Sequence, residues 1–241
     1  TSLGQDWVSI KAAMAAKQTG VRFMSEWDRY PDIGTRLAAP VQDFDVAARY
    51  PRKKTRAMGR VALLSAYASE RALDAAGLRD SPVVTGGRTG VAYGSSFGSP
   101  DAVLGFYELK KEGIGRNLTA TSYIQMMSHT AVVNIGMFFG ATGRIIPTSS
   151  ACTSGSQAIG YAYEAIRLGK ADVMIAGGAE ELDITDSAVF DTLYATSTRN
   201  DRPHATPRPF DKDRDGLVIG EGAATLILEE YEFARDRKSV V

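Results

Sequence analysis

Residues 144–180 read RIIPTSSACTSGSQAIGYAYEAIRLGKADVMIAGGAE. A short apolar strand, Arg144 to Ser150, runs into small residues and then Cys152, and a helix from Ser154 to Leu168 begins at once. Ala158, Ile159, Ala162, Ala165 and Ile166 recur at helical spacing and make one apolar face. Gly169 is expected to end that helix. Asp172 to Ala176 is a short apolar run of the kind found in buried strands, and Gly177-Gly178 should stop it. Strand, helix and strand in close succession point to layers of helices over a buried sheet.

The same alternation extends outward. Upstream, Asp6 is placed to cap a helix carrying Trp7, Ile10 and Met14, with Gly20 beyond it. A loop-rich aromatic stretch follows, from Val21 to about Pro51. The basic cluster Arg52, Lys53, Lys54, Arg56 and Arg60 then leads into a periodic helix with Met58, Val61, Leu64, Ala68 and Leu73 on one side and Gly77 at its end. Thr89 to Tyr93 reads as a strand entering the loop Gly94-Ser95-Ser96-Phe97-Gly98-Ser99. Helices are predicted over Asp101 to Glu112 and Tyr123 to Phe139. Downstream come a helical stretch around Ser187 to Tyr194, a polar loop from Ser197 to Pro209, a last strand from Gly222 to Glu229 and a final helical turn. The expectation is an α/β fold in a single domain, residues 1–241.

Of 241 residues, 44% are hydrophobic and 23% charged, an ordinary balance for a soluble globular protein. Lys plus Arg and Asp plus Glu both total 28, so no general attraction to nucleic acid or to an acidic membrane is expected. No apolar run approaches the roughly 20 residues that span a bilayer. The sequence starts with no basic segment followed by an apolar one. Cys152 is the only cysteine, which excludes an intrachain disulfide and suits a reducing, cytoplasmic setting.

Two readings stand for Cys152. A lone cysteine in apolar surroundings is commonly a small core residue. A cysteine on a tight strand-to-helix turn is instead a nucleophile candidate, because unpaired amides and the helix dipole there favour an anion and the thiolate is the reactive form. Ala151, Ser154 and Gly155 leave room for a substrate. A nucleophile also needs a base or oxyanion donors, and the two histidines, His129 and His204, are not paired with it by any local pattern.

The run from Thr148 to Ala179 resembles the active-site block of the β-ketoacyl-acyl-carrier-protein synthases of fatty-acid and polyketide synthesis. Ser197-Thr-Arg-Asn-Asp201, Arg208-Pro-Phe-Asp-Lys-Asp-Arg-Asp-Gly216 and Val218-Ile-Gly-Glu-Gly222 follow in the family's order, and a weaker likeness runs upstream through Gly94 to Gly98 and the helix from Met58 to Gly77. The resemblance implies a thiolase-like fold with Cys152 accepting an acyl chain from acyl-carrier protein. It also implies condensation with malonyl-carrier protein and loss of CO2. It makes the Cys152 N–H one oxyanion donor, Phe97 the bulky residue gating the acyl pocket and Phe190 an aromatic lining it; for each phenylalanine a plain core role is the alternative. It implies no metal or tightly bound cofactor, since phosphopantetheine arrives on the carrier protein. It suggests a homodimer or a heterodimer with a related ketosynthase, pairing through Arg144 to Ser150.

The likeness covers the N-terminal half of such enzymes. The family's two catalytic histidines and its lysine fall in the second half, and His129 and His204 match neither histidine, so these residues alone are expected not to condense. Two other functions remain open. Gly94-Ser95-Ser96-Phe97-Gly98 fits the nucleophile elbow of serine hydrolases, with Ser96 as nucleophile and His204 as base. A non-catalytic chain-length partner of a ketosynthase heterodimer is the other, although such partners generally lack the cysteine.

Three motifs carry less. Asp211-Lys-Asp213-Arg-Asp215-Gly216 begins like a calcium loop, but its twelfth position is Gly222 rather than a carboxylate, so a solvated turn with local ion pairs is expected. Gly177-Gly178-Ala-Glu180-Glu181 lacks the spacing of a phosphate loop and reads as a structural turn. The basic run Arg52 to Arg60 reads as a solvated helix start, or as a docking patch for an acidic carrier protein.

Overall fold

A computed structural model describes residues 1–45 and 49–239. Of the aromatic stretch from 21 to 51, residues 46–48 lie outside it, as do 240 and 241 of the closing segment. The strands are β1 (Arg22–Phe23), β2 (Leu37–Ala39), β3 (Thr89–Gly94), β4 (Ile145–Thr148), β5 (Val173–Glu180), β6 (Ile219–Gly220) and β7 (Gly222–Glu229). The α-helices are α1 (Trp7–Ala15), α2 (Arg52–Thr55), α3 (Arg60–Ala75), α4 (Pro82–Thr85), α5 (Leu104–Glu112), α6 (Ala120–Met126), α7 (Thr130–Phe139), α8 (Ser154–Arg167), α9 (Ile184–Thr192) and α10 (Tyr231–Asp236). They divide into two compact units, Asp45–Glu180 with Ala223–Val241, and Thr1–Phe44 with Glu181–Gly222.

The larger unit is built on a four-stranded sheet in the order β4-β3-β5-β7. β3 runs parallel to β4 and to β5, with Gly94 opposite Thr148 on one side and Gly178 on the other. Side chains alternate across a strand, and the residues are sorted by size. Val91, Tyr93, Val173 and Ile175 pack with Val61 and Leu73 of α3 and with Val132 and Ile135 of α7. Ala92, Met174 and Ala176 pack with Ala158, Ala162 and Ala165 of α8. Alanines on both partners let α8 lie close to the sheet. Full burial of a side chain such as Ile175 contributes about 1.5–3 kcal/mol. Tyr93, also wholly buried, donates its hydroxyl to the Ala224 carbonyl at 3.2 Å. Burial pushes its phenol up to about 12, so it remains a neutral donor.

The smaller unit holds a three-stranded sheet, β1-β2-β6, with β1 antiparallel and β2 parallel to its neighbour. Met24, Trp27 and Ala38 form its core with Tyr30, Leu182 and Ile184. Asp191 accepts from the Gly34 N–H (2.8 Å), the Thr35 N–H (3.1 Å) and the Thr196 hydroxyl (2.7 Å), which joins α9 to the turn before β2.

Three expectations of element boundary change. The helix over 123–139 is two helices. Met127 turns extended (ψ 141°) after α6, while the Gln125 carbonyl takes the Ser99 N–H at 2.8 Å. Gly177-Gly178 do not stop β5, which runs on to Glu180. At Gly178 a Cβ would lie 3.0 Å from the Gly155 Cα of α8, so the glycine there serves close packing of strand on helix. α1 is capped by Asp6 through the Ser9 N–H as expected, but it ends at Ala15, and Trp7 and Met14 are exposed. The calcium-like segment forms a turn in which Asp215 pairs with Arg199 (3.3 Å) and accepts from the Ser197 hydroxyl (2.5 Å).

Candidate functional site

Cys152 stands on the turn that carries the chain from β4 into α8, two residues before the helix begins, and it is exposed. The turn closes through Ala151, whose φ of 52° lies in the left-handed region, an uncommon conformation for a residue with a Cβ. Small hydroxyl residues hold it there. Ser154 accepts from the Ser150 N–H (2.9 Å) and donates to the Ala151 carbonyl (2.6 Å), which also takes the Ser154 N–H (3.0 Å). Thr153 donates to the Ser150 carbonyl (2.8 Å), and Thr148 to the Ser154 carbonyl (2.8 Å). The Cys152 N–H has no acceptor among the described residues. A sulfur is thus presented at a helix N-terminus beside an unoccupied amide, where a thioester carbonyl can be attacked and its oxygen can find a donor.

The loop after β3 reaches this turn. The Ser95 N–H donates to the Thr148 carbonyl at 3.3 Å, and the Ser149 hydroxyl to the Ser96 carbonyl at 3.4 Å. Both segments leave the carboxyl ends of adjacent parallel strands, the usual place for ligand sites in open α/β sheets. Phe97, on this loop, is 45% exposed. Cys152 and Phe97 are therefore brought to one end of the sheet by β3 and β4. Phe190 lies on α9 of the smaller unit, half-buried, and its carbonyl accepts from the Ala195 N–H at 3.0 Å.

Ser96 is exposed, but its loop leads into a 3-10 turn, Pro100–Val103, rather than the α-helix of a nucleophile elbow. His129 sits at the head of α7, and His204 is exposed in the 3-10 turn Pro203–Ala205. Among the described residues no cluster of three or more His, Cys, Asp or Glu is placed to hold a metal ion, and no helix is long and apolar enough to cross a membrane.

Sequence reasoning missed Glu180. Its carboxylate accepts from the Ser95 hydroxyl (3.1 Å), the Ser96 N–H (2.7 Å) and the Phe97 N–H (3.4 Å). A strand that stops at Gly177-Gly178 puts Glu180 in a turn, whereas β5 runs on to Glu180. Continuing the strand register from Gly94 opposite Gly178 would have set Glu180 level with Ser96.

The profile described as Beta-ketoacyl synthase, N-terminal domain, matches residues 1–234. A 3-oxoacyl-[acyl-carrier-protein] synthase 2 of Vibrio harveyi is 34% identical over 226 residues, 93% of this chain and 54% of the relative. The tetracenomycin polyketide synthase ketoacyl synthase alpha subunit of Streptomyces glaucescens is 32% identical over 232 residues, with the same coverage. The crystal structure of a beta-ketoacyl synthase from Burkholderia phymatum superimposes with a TM-score of 0.97 at 56% identity, over 100% of this chain and 59% of that one. A ketosynthase bound to the hexaketide, in complex with its type II polyketide synthase acyl-carrier protein, superimposes with a TM-score of 0.81 at 28% identity. It is covered over 58% of its length. The chain spans about half the length of the curated relatives it matches.

Proposed function

The chain belongs to the β-ketoacyl synthase family through its N-terminal domain, with the thiolase-like fold of that family, and from this premise we propose that Cys152 is the acyl acceptor of a decarboxylative condensation. The observation that carries the reading is the exposed sulfur on a strained turn at the head of α8, beside its own unoccupied N–H.

In the first step the Cys152 sulfur attacks the thioester carbonyl of an acyl-carrier protein. A C–S bond forms to Cys152, the bond to the phosphopantetheine sulfur breaks, and that sulfur leaves with the thiol proton. The Cys152 N–H stabilises the oxyanion between the two states; a donor of this kind is worth about 3–4 kcal/mol in other enzymes. In the second step, assigned to the whole protein, malonyl-carrier protein loses CO2, its enolate carbon attacks the Cys152 thioester, and the sulfur is released. Phe97 bounds the acyl chain beside the sulfur. The exposed cations Arg52, Lys53 and Arg56 supply a docking patch for an acidic carrier protein. A reducing cytoplasm keeps the lone thiol free.

Incubation with an acyl-carrier protein tests the reading by intact mass. The protein is expected to gain one acyl group on Cys152, and Cys152→Ala to gain none. A wild-type protein that takes up no acyl group, or a Cys152→Ala variant acylated as fast as wild type, overturns it.

A further inference from the structure

We infer that Glu180 is a positioning residue for acyl-chain selection, acting through the Phe97 loop; the inference rests on the proposed gating role of Phe97 and names what holds that gate. Successive backbone N–H groups pointing at one anion make a nest. Here the anion is a side chain of the protein. The Glu180 carboxylate takes the Ser96 and Phe97 N–H groups on its two oxygens, and the Ser95 hydroxyl as well. Ser95 is 1% exposed, and its oxygen accepts in turn from the Gly98 N–H at 3.2 Å. Donors from Ser95, Ser96 and Phe97, and Gly98 through the Ser95 oxygen, therefore converge on one carboxylate at the end of β5.

Elsewhere the loop bonds at its two ends, through the Ser95 N–H to the Thr148 carbonyl and the Ser99 N–H to the Gln125 carbonyl (2.8 Å), and at Ser96, whose carbonyl accepts from the Ser149 hydroxyl at 3.4 Å. At the crest, the Phe97 N–H bonds Glu180 and no other polar tether of Phe97 is found among the described residues; the residue is 45% exposed, on a loop that reaches the Cys152 turn through Ser96. Without the carboxylate, two N–H groups and a buried hydroxyl lose their acceptor, and the loop must turn to find others. The ring moves with it.

The experiment compares the rates at which Cys152 is acylated by butyryl- and octanoyl-pantetheine, followed by intact mass on the full chain. The readout is the ratio of the two rates. A fault that merely weakens the turn or unfolds part of the sample lowers both rates alike and leaves the ratio unchanged. Phe97→Ala is expected to change the ratio about tenfold, the scale on which a pocket wall discriminates chain length. Glu180→Ala should change it in the same direction, by roughly three- to tenfold, and Glu180→Gln, which keeps the shape and one acceptor, by less. The double variant should go no further than Phe97→Ala alone, since the two act as one unit. A ratio within about twofold of wild type in both Glu180 variants, with Phe97→Ala shifted, overturns the role of Glu180 and spares the gate. An unshifted ratio in Phe97→Ala removes the gate itself, and the inference with it.

Discussion

Ala151 occupies the backbone conformation that puts its neighbour's sulfur outside the turn. A residue with a Cβ at φ 52° is strained by roughly 1 kcal/mol relative to glycine. Ala151→Gly should therefore stabilise the protein by up to about 1 kcal/mol while leaving Cys152 accessible. Ala151→Val, β-branched in the same conformation, should cost about 2 kcal/mol or more. At about 2–4 °C per kcal/mol for a chain of this size, thermal melts separate the two, and a melting point lowered by Ala151→Gly would count against strain at this position. Cys152 itself was legible because an apolar strand, a cluster of small residues and a small-residue helix surround it in sequence. Glu180 was not legible, because what matters there is the strand register with β3, a contact 84 residues away in sequence.

At the scale of elements, the strands and helix around the nucleophile follow from periodicity alone, since α8 and β5 bury faces that the sequence marks with alanines and branched residues. The division between α6 and α7 escaped because the apolar spacing runs on through it; at the break the Gln125 carbonyl takes the Ser99 N–H, a tertiary bond the spacing does not show. Packing at that end is unforgiving. A Cβ at Gly94 would lie 2.5 Å from the Ser154 backbone carbon, so Gly94→Ala must push α8 away from β3. It is expected to destabilise by about 1–3 kcal/mol, as overpacking does, and to slow acylation of Cys152 by moving its turn. A Gly94→Ala protein with wild-type melting and acylation would contradict this packing.

The smaller unit makes a separate prediction through α9. Burial pushes the Asp191 carboxyl up. The Gly34 N–H, the Thr196 hydroxyl, the Thr35 N–H and the Arg36 charge outweigh it and hold the group below its ordinary 3.8. A depressed carboxyl contributes stability that is full above the unfolded value and fades as pH falls through the folded one. Asp191→Asn should cost about 1–3 kcal/mol near neutrality, because backbone donors lose an acceptor. The gap from wild type should close as pH drops below 3.8. Chemical denaturation at a series of pH values measures it, and a gap independent of pH would remove Asp191 as the anchor of the turn before β2.

For the whole molecule, the informative feature is the outer edge of the larger unit's sheet. β4 pairs only with β3 among the described strands, and an outer strand offers unpaired N–H and C=O groups to another chain. Its sequence is apolar and carries no charged residue, and Ile145 is 39% exposed, whereas strands that avoid pairing usually place lysine or other charge at the edge. Pro147, which has no N–H to give, limits pairing to part of the strand. The same strand leads directly into the Cys152 turn, so a chain joined here would also steady that turn. The expected outcome is a dimer, with itself or with a related ketosynthase, measured by light scattering after size-exclusion chromatography. Ile145→Lys should shift it towards monomer. A wild-type protein that is monomeric at every concentration would refute pairing through β4, and a dimer that survives Ile145→Lys would place the contact elsewhere on the molecule.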